Sequence, residues 1–261
     1  MSRRTGVQSL LSGRTAAEIR TDPFPHLVAA DCLAPDDYAA LCAHFPAVSR
    51  ITWSGSGPSM RSNRRFAMPA TALLAGADIA PCWKAFAARH SGPEFFSEVA
   101  AFFDGYWPDA MLRALGGTLA GHSMGPLDLS APGAFKIHLD ARIEINTPVL
   151  TTPSVVRGPH LDTPNRLYSC LFYLRHPDDD SFGGELLLYR WRASAERRVD
   201  CYALDEAEVE VAAVIPYRAN QMVIFPQTID SVHGVGLRHP TPHVRRYVFV
   251  TAELADPWLE A

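Results

Sequence analysis

Several features that would settle the class of a chain at a glance are missing here. No apolar run reaches the roughly 20 residues that a membrane-spanning helix needs, so a helical membrane protein is not expected. The opening stretch, MSRRTGVQSLLSGRTAAE, has no continuous apolar segment of the kind a secretory leader carries. Cysteine is sparse: five residues, at 32, 42, 82, 170 and 201, with no CxxC pair. An odd count without paired spacing argues against a disulfide framework and against a thiolate zinc site. These cysteines read as small buried hydrophobes, and a reducing cytoplasm is the expected location. Charge of one sign is also lacking. The formal net charge is −4, from 24 Lys+Arg against 28 Asp+Glu. Nucleic acid needs clustered positive charge. The two basic clusters, Arg61/Arg64/Arg65 and Arg192/Arg197/Arg198, are short and read as solvated surface. Neither a nucleic-acid partner nor a membrane is therefore expected. There is no internal repeat and no long low-complexity stretch, and oligomeric state is left open.

What is present is an ordinary globular composition. The 261 residues are 48% apolar and 20% charged, enough to build a sizeable core. PFPHLVAA, 23–30, reads as a short strand. APDDYAALCAHFP, 34–46, reads as a helix: Asp36 or Asp37 can cap it, and Tyr38, Leu41, Cys42 and Phe45 share a face. Residues 50–70, rich in Ser, Gly, Arg and Pro, read as a loop. Residues 80–120 read as helical, with the aromatics of PEFFSEVAAFFDGYW at core spacing.

Beyond about 134 the pattern changes to period two and β-branched residues. FKIHLDARIEINTPVL, LYSCLFYLRH, GGELLLYRW, VEVAAVIPY, QMVIFP, SVHGV and RRYVFVTAEL are separated by Gly, Pro, Asp and Asn turns. Many short strands with regular turns point to a sandwich or small barrel. The expected organisation is a helical and loop support region over 1–130 and a β core over 131–261, the two integrated as one domain.

Alternate residues of a strand lie on one face. In RGPHLDTPN, His160 and Asp162 therefore point the same way and can share a cation. His233, in SVHGV, supplies a third ligand. Two histidines and one carboxylate on one side of a metal leave its other positions open, which suits iron(II) admitting a chelating cosubstrate and dioxygen. HxD alone is weak evidence, and the chain contains HLD twice. In the other copy Asp140 shares a face with Arg142, so an ion pair accounts for it; the strands that follow His160 favour the second copy. Beyond His233 lie Arg245 and Arg246, and a guanidinium there can grip a carboxylate with two parallel hydrogen bonds.

In order, GPHLD, LFYL, GGELLLY, VIFP, SVHGV and RRYVFV resemble the 2-oxoglutarate- and iron(II)-dependent dioxygenases, in particular their prolyl-hydroxylase-like bacterial branch. PFPHLVAADCLAPDDYAALCAHFP also resembles the opening of many members. The resemblance implies an α+β chain with a mainly β core, a double-stranded β-helix (jelly roll) braced by N-terminal helices. It implies iron(II), with 2-oxoglutarate and dioxygen as cosubstrates, and oxidation of a C–H bond in a small-molecule or peptidyl substrate. The far carboxylate of 2-oxoglutarate would pair with an arginine. Many relatives carry Arg-x-Ser on the last strand. Here a small neighbour, Val248, favours Arg246 over Arg245, whose neighbour is Tyr247. Arg157 and Asn165, flanking the HxD, are candidate substrate contacts, and the loop 50–66, with Trp53, Arg61, Arg64 and Arg65, is a candidate lid. Asp162 argues against halogenation, which uses a small residue at that place.

Three other readings remain. A cupin-like metal enzyme without 2-oxoglutarate would share the triad but not need the arginine. A non-catalytic barrel would tolerate loss of a ligand, and none is lost. A zinc hydrolase built on His122, His138 and His233 lacks any short His spacing such as HxxxH.

Overall fold

The computed structural model describes residues 7–52, 62–128, 133–200 and 203–260. Among the described residues there are six α-helices, a 3-10 helix (Ala16–Glu18) and ten strands. The helices are α1 (Pro35–Ala43), α2 (Val48–Ile51), α3 (Ala70–Ala75), α4 (Pro81–His90), α5 (Pro93–Phe102) and α6 (Asp109–Ala114). The strands are β1 (Leu27–Ala29), β2 (Arg65–Met68), β3 (Met124–Pro126), β4 (Ile137–Asn146), β5 (Arg166–Tyr173), β6 (Leu186–Trp191), β7 (Val209–Ile215), β8 (Gln221–Pro226), β9 (His233–Val235) and β10 (Arg245–Leu254). Proline opens α1, α4 and α5, where its missing N–H has no helical partner to lose.

Every run expected to be a strand after residue 134 is one. The loop expected at 50–70 differs in part. Arg65–Met68 forms β2 on the edge of β4, because Thr147 and Pro148 supply backbone and side-chain partners to Asn63 and Arg64. Residues 53–61 of the candidate lid, with Trp53 and Arg61, lie outside the described residues.

The larger sheet runs β1-β8-β5-β10-β4-β2, with β3 parallel to β4. The smaller runs β7-β6-β9. They face each other as the two halves of a jelly roll. β1, β2 and β3 bring the region before residue 130 into the larger sheet.

The period-two pattern decides which residues face where. On β4 and β10, Ile137, Leu139, Ala141, Ile143, Ile145, Val248, Val250 and Ala252 join Trp83, Phe86, Phe95 and Phe96 of the helices in one apolar core. The opposite face looks between the sheets. There Tyr173, Leu186, Leu188, Ile215, Tyr217, Val223, Phe225, Tyr247 and Phe249 pack together. The same face carries Asp140, Arg142, Glu144 and Asn146 of β4, all opposite interior residues of β10 in the strand register. No helix among the described residues is long and apolar enough to cross a membrane.

Candidate metal centre

His160, Asp162 and His233 come together between the two sheets. A backbone bridge between His160 and His233, with N···O distances of 2.9 and 3.0 Å, fixes their separation. The ring centroids are 4.4 Å apart. One potential ligand atom from each of the three lies within 4.8 Å of the others. Among the described residues this is the only such cluster of His, Cys, Asp and Glu. Each imidazole faces a carbonyl through Nδ1: His160 that of Gly158 at 2.8 Å, His233 that of Ser231 at 2.9 Å. With Nδ1–H donating, each Nε2 lone pair turns toward Asp162, at 3.9 and 3.8 Å from its two oxygens. Ser169 of β5 donates its hydroxyl to Asp162 Oδ2.

Ionisation favours ligation. Burial drives the pKa of His160 well below the ordinary value, with His233 adding to it, and burial likewise lowers that of His233. Both rings are neutral at neutral pH. Burial opposes ionisation of Asp162, but the imidazole of His233, the Arg166 guanidinium, His160 and the Ser169 hydroxyl outweigh it. The carboxyl is held well below the usual carboxylate range.

The other HLD is arranged differently. Asp140 accepts from Arg142 at 3.1 Å and from the backbone N–H of Ala70 at 2.9 Å. His138 is buried, and neither ring nitrogen has a hydrogen-bond partner among the described residues. His122 reaches the carbonyl of Thr118 in an exposed turn, so the alternative set His122, His138 and His233 is not gathered.

The two arginines fall on opposite faces, and Arg246, favoured for its small neighbour, is on the outer one. Arg246 shares the outer face with Val248 and Val250 and lies 4.7 Å over the ring of Phe45, away from the triad. Its small neighbours serve packing against the helical layer. Arg245 is the interior residue, because its register partner on β4 is Asn146 and that of Tyr247 is Glu144. Its guanidinium is buried, donates to the carbonyl of Gly184 and sits 4.3 Å from the centroid of Tyr217 and 5.2 Å from that of Tyr173. Arg238 is close by and also buried. It donates to the carbonyls of Thr147, at 2.9 Å, and His243. Burial, reinforced by the neighbouring Arg245, pulls its pKa down to about 10. Neither arginine has an ion pair among the described residues. Among the described residues, the polar atoms at this end that are buried without a hydrogen bond of ordinary geometry include the Tyr173 hydroxyl, Asn146 Nδ2 and Asp179 Oδ2, the last acting on Arg238 from a distance.

The Gly183–Gly184 pair makes this approach possible. Both have positive φ, 83° and 76°. A Cβ on Gly183 would lie 2.0 Å from the carbonyl oxygen of Leu237, and one on Gly184 3.1 Å from Arg245 Nη1.

A cavity opens from the triad, lined also by Arg65, Glu144, Val156, Arg157, Leu171, Leu186, Val235, Tyr247 and Phe249. Arg157 is 3.7 Å from Asp162 Oδ1. Asn165 does not line this cavity. Its amide donates to the carbonyl of Leu254 at 2.8 Å and its own carbonyl accepts from the Leu254 N–H, so it ties the loop after Asp162 to the end of β10. Sequence reasoning missed Ser169, Tyr173, Asn146, Glu144 and Arg238. The alternation of IHLDARIEIN carried a signal for two of them, since Glu144 and Asn146 share the face of Asp140 and Arg142.

Residues 129–251 match the family model of the 2OG-Fe(II) oxygenase superfamily. No curated protein matches in sequence. Among solved structures, the chain is similar to a Pseudomonas putida prolyl-4-hydroxylase, at 13% identity over 88% of this chain and 92% of that one, with a TM-score of 0.43. It is similar to prolyl 4-hydroxylase from Phytophthora capsici at 13% identity, over 98% and 68% of the two chains, with a TM-score of 0.48. It is also similar to an oxidoreductase of the 2OG-Fe(II) oxygenase family from Burkholderia pseudomallei, at 11% identity over 94% and 91%, with a TM-score of 0.45. The stretch that matches this family model, residues 129–251, includes the triad and both arginines after it.

Proposed function

We propose that His160, Asp162 and His233 hold the iron(II) of this oxygenase and that Arg245 anchors the far carboxylate of 2-oxoglutarate. The observation that carries the metal assignment is the donor set itself: two neutral imidazole Nε2 atoms and one ionised carboxylate, within 4.8 Å of one another. Two nitrogens and one oxygen on one side of an ion suit iron(II) with open positions. Both Nδ1 atoms are occupied by carbonyls, so the rings cannot turn away, and Ser169 holds the carboxylate.

The cosubstrate assignment is supported by charge. At the far end of the interior, Arg245 and Arg238 place two guanidiniums with no acid paired to either among the described residues. The Tyr173 hydroxyl, beside Arg245, and Asn146 Nδ2 lie there without a hydrogen bond of ordinary geometry among the described residues. Buried polar atoms are normally satisfied, and a carboxylate would satisfy these. Arg246 cannot serve, since it lies on the helix-covered face.

Iron(II) with 2-oxoglutarate and dioxygen supplies oxidative decarboxylation to succinate and carbon dioxide, coupled to oxidation of a substrate C–H bond. The protein's own contribution is ligation, orientation and the exclusion of water by Leu171, Leu186, Val235 and Phe249. Members of the family act on small molecules or peptides, and a substrate of either kind would enter through the cavity beside Arg157.

Anaerobic addition of iron(II) and then 2-oxoglutarate to metal-free protein tests the assignment. A weak visible charge-transfer band that needs both additions, and is absent in His160→Ala, is the expected result. Iron binding with no such band would remove the 2-oxoglutarate assignment and bring forward a cupin-like metal enzyme.

A further inference from the structure

Arg65 is the least explained charge at the metal cavity. It lies on β2, opposite Asn146 of β4, so its side chain is on the interior face. It lines the same cavity as the triad and Arg157. Its nearest acid is Glu144, with Nε 3.8 Å from Oε2, beyond hydrogen-bond reach. Glu144 is already satisfied. It accepts from Arg142 at 2.8 Å and from the Tyr247 hydroxyl at 2.6 Å. Among the described residues the Arg65 guanidinium donates no hydrogen bond, and its side chain is 46% exposed. A guanidinium kept in place by a distant carboxylate, with its donors open to a cavity, is a receptor for an oxyanion.

The remaining walls narrow the ligand. Val156, Val235, Leu186 and Phe249 are apolar, and Arg157 adds a second positive charge on the same cavity. We propose that the substrate is an amphipathic carboxylic acid, its apolar body against these walls and its carboxylate held by Arg65 with support from Arg157. The planar fork of Arg65 favours a carboxylate, whose two oxygens match it. This proposal rests on the assignment of the triad and Arg245 above, and it adds the substrate's class and the residue that selects it.

The test uses the full-length protein loaded with zinc(II), as a redox-inert stand-in for iron(II), and 2-oxoglutarate. Phenylacetate, phenylacetamide and phenylphosphate are titrated by calorimetry into the wild type, Arg65→Gln and Arg65→Lys. Phenylacetate is expected to bind at least about 10-fold more tightly than the amide. In Arg65→Gln that preference should fall to within about 2-fold, and Arg65→Lys should restore part of it as a point charge. The affinity for 2-oxoglutarate should stay within about 2-fold of wild type in both variants. Equal binding of acid and amide by the wild type would overturn the proposal, as would tighter binding of phenylphosphate. Loss of 2-oxoglutarate affinity in Arg65→Gln would overturn it by giving Arg65 to the cosubstrate. Failure of the wild type to bind zinc and 2-oxoglutarate would instead strike the underlying assignment, a result separable from all of these.

Discussion

The tripeptide His-Leu-Asp occurs at 138–140 and at 160–162, and the two copies have different fates. Both are buried, and both put His and Asp on the interior face. At 140 the carboxylate is neutralised by Arg142 and accepts the Ala70 N–H. At 162 it accepts a hydroxyl and faces two imidazoles, all compatible with a cation beside it, while the Arg157 guanidinium stands 3.7 Å away without a hydrogen bond to it. His138 lies near the start of β4 with no hydrogen-bond partner for its ring among the described residues, whereas His160 is steered by the carbonyl of Gly158. The difference teaches that whether a His-x-Asp pair can serve a metal is decided by what occupies the remaining atoms of its residues. A third buried histidine completes the scale: His90 uses both ring nitrogens, one facing the carbonyl of Phe86 and the other accepting from Leu10 N–H. It has nothing left for a metal.

The sharpest way to break this comparison is to remove each histidine. His160→Ala should weaken iron(II) binding by at least about 100-fold, more than loss of an outer partner costs. His138→Ala should leave it within about 3-fold. Equilibrium dialysis under nitrogen measures both, and equal losses would mean that the ring partners do not decide the site. Next in size is the pair of arginines. Charge-assisted hydrogen bonds are worth about 1.5–3 kcal/mol, so Arg245→Gln should raise the Kd for 2-oxoglutarate about 10- to 100-fold. Arg246→Gln, acting on the face packed against Phe45, should change it less than about 3-fold. The reverse order would return the anchor to Arg246.

These two comparisons also mark how far the sequence could be read. The strands after residue 134 were legible because period two was strong there; His160 and Asp162 come together outside any named strand, where His160 bridges His233. The choice between Arg245 and Arg246 was not legible, because which face of β10 looks inward depends on its register against β4 and β5. Neighbour size misled: Val248 is small because it packs under helices, while Tyr247, large as it is, fits the interior by donating to Glu144. Asn165 flanks the motif, but adjacency in sequence does not distinguish a cavity wall from a tether to Leu254. β2 was hidden in a stretch of loop composition, since an edge strand takes its partners from β4 and needs little pattern of its own.

A smaller effect separates the two aspartates. Asp140→Asn should cost about 1–3 kcal/mol of stability, because it removes one acid from beside the buried Arg142. Glu144, at 2.8 Å from Arg142, still balances part of that charge and keeps the cost from rising further. Iron(II) affinity should be unchanged. Urea denaturation gives the first quantity and dialysis the second. An Asp140→Asn protein of full stability that had lost iron would assign Asp140 to the metal and undo the distinction between the copies.

A separate effect, nil above about pH 6.5, concerns His90, whose ring shows what a fully partnered histidine does to acid stability. Burial lowers its pKa from 6.5 to about 3. Protonation would also destroy the lone pair that accepts the Leu10 N–H. The unfolded chain takes up a proton here as pH falls below about 6.5, and the folded chain does not until about pH 3. The unfolded state therefore binds more protons in that window, and stability falls with falling pH. One such proton corresponds to a slope of about 1.4 kcal/mol per pH unit, present between about pH 6.5 and 3 and absent above it. His90→Gln should lower stability at pH 7, where the two hydrogen bonds matter, yet reduce the acid slope by about that amount. Denaturation curves of the metal-free protein at pH 7, 5.5 and 4.5 supply the comparison, those pH values being settings of the experiment chosen on either side of about 6.5. Parallel loss of stability in wild type and variant would show that another group, and not this ring, sets the acid limit.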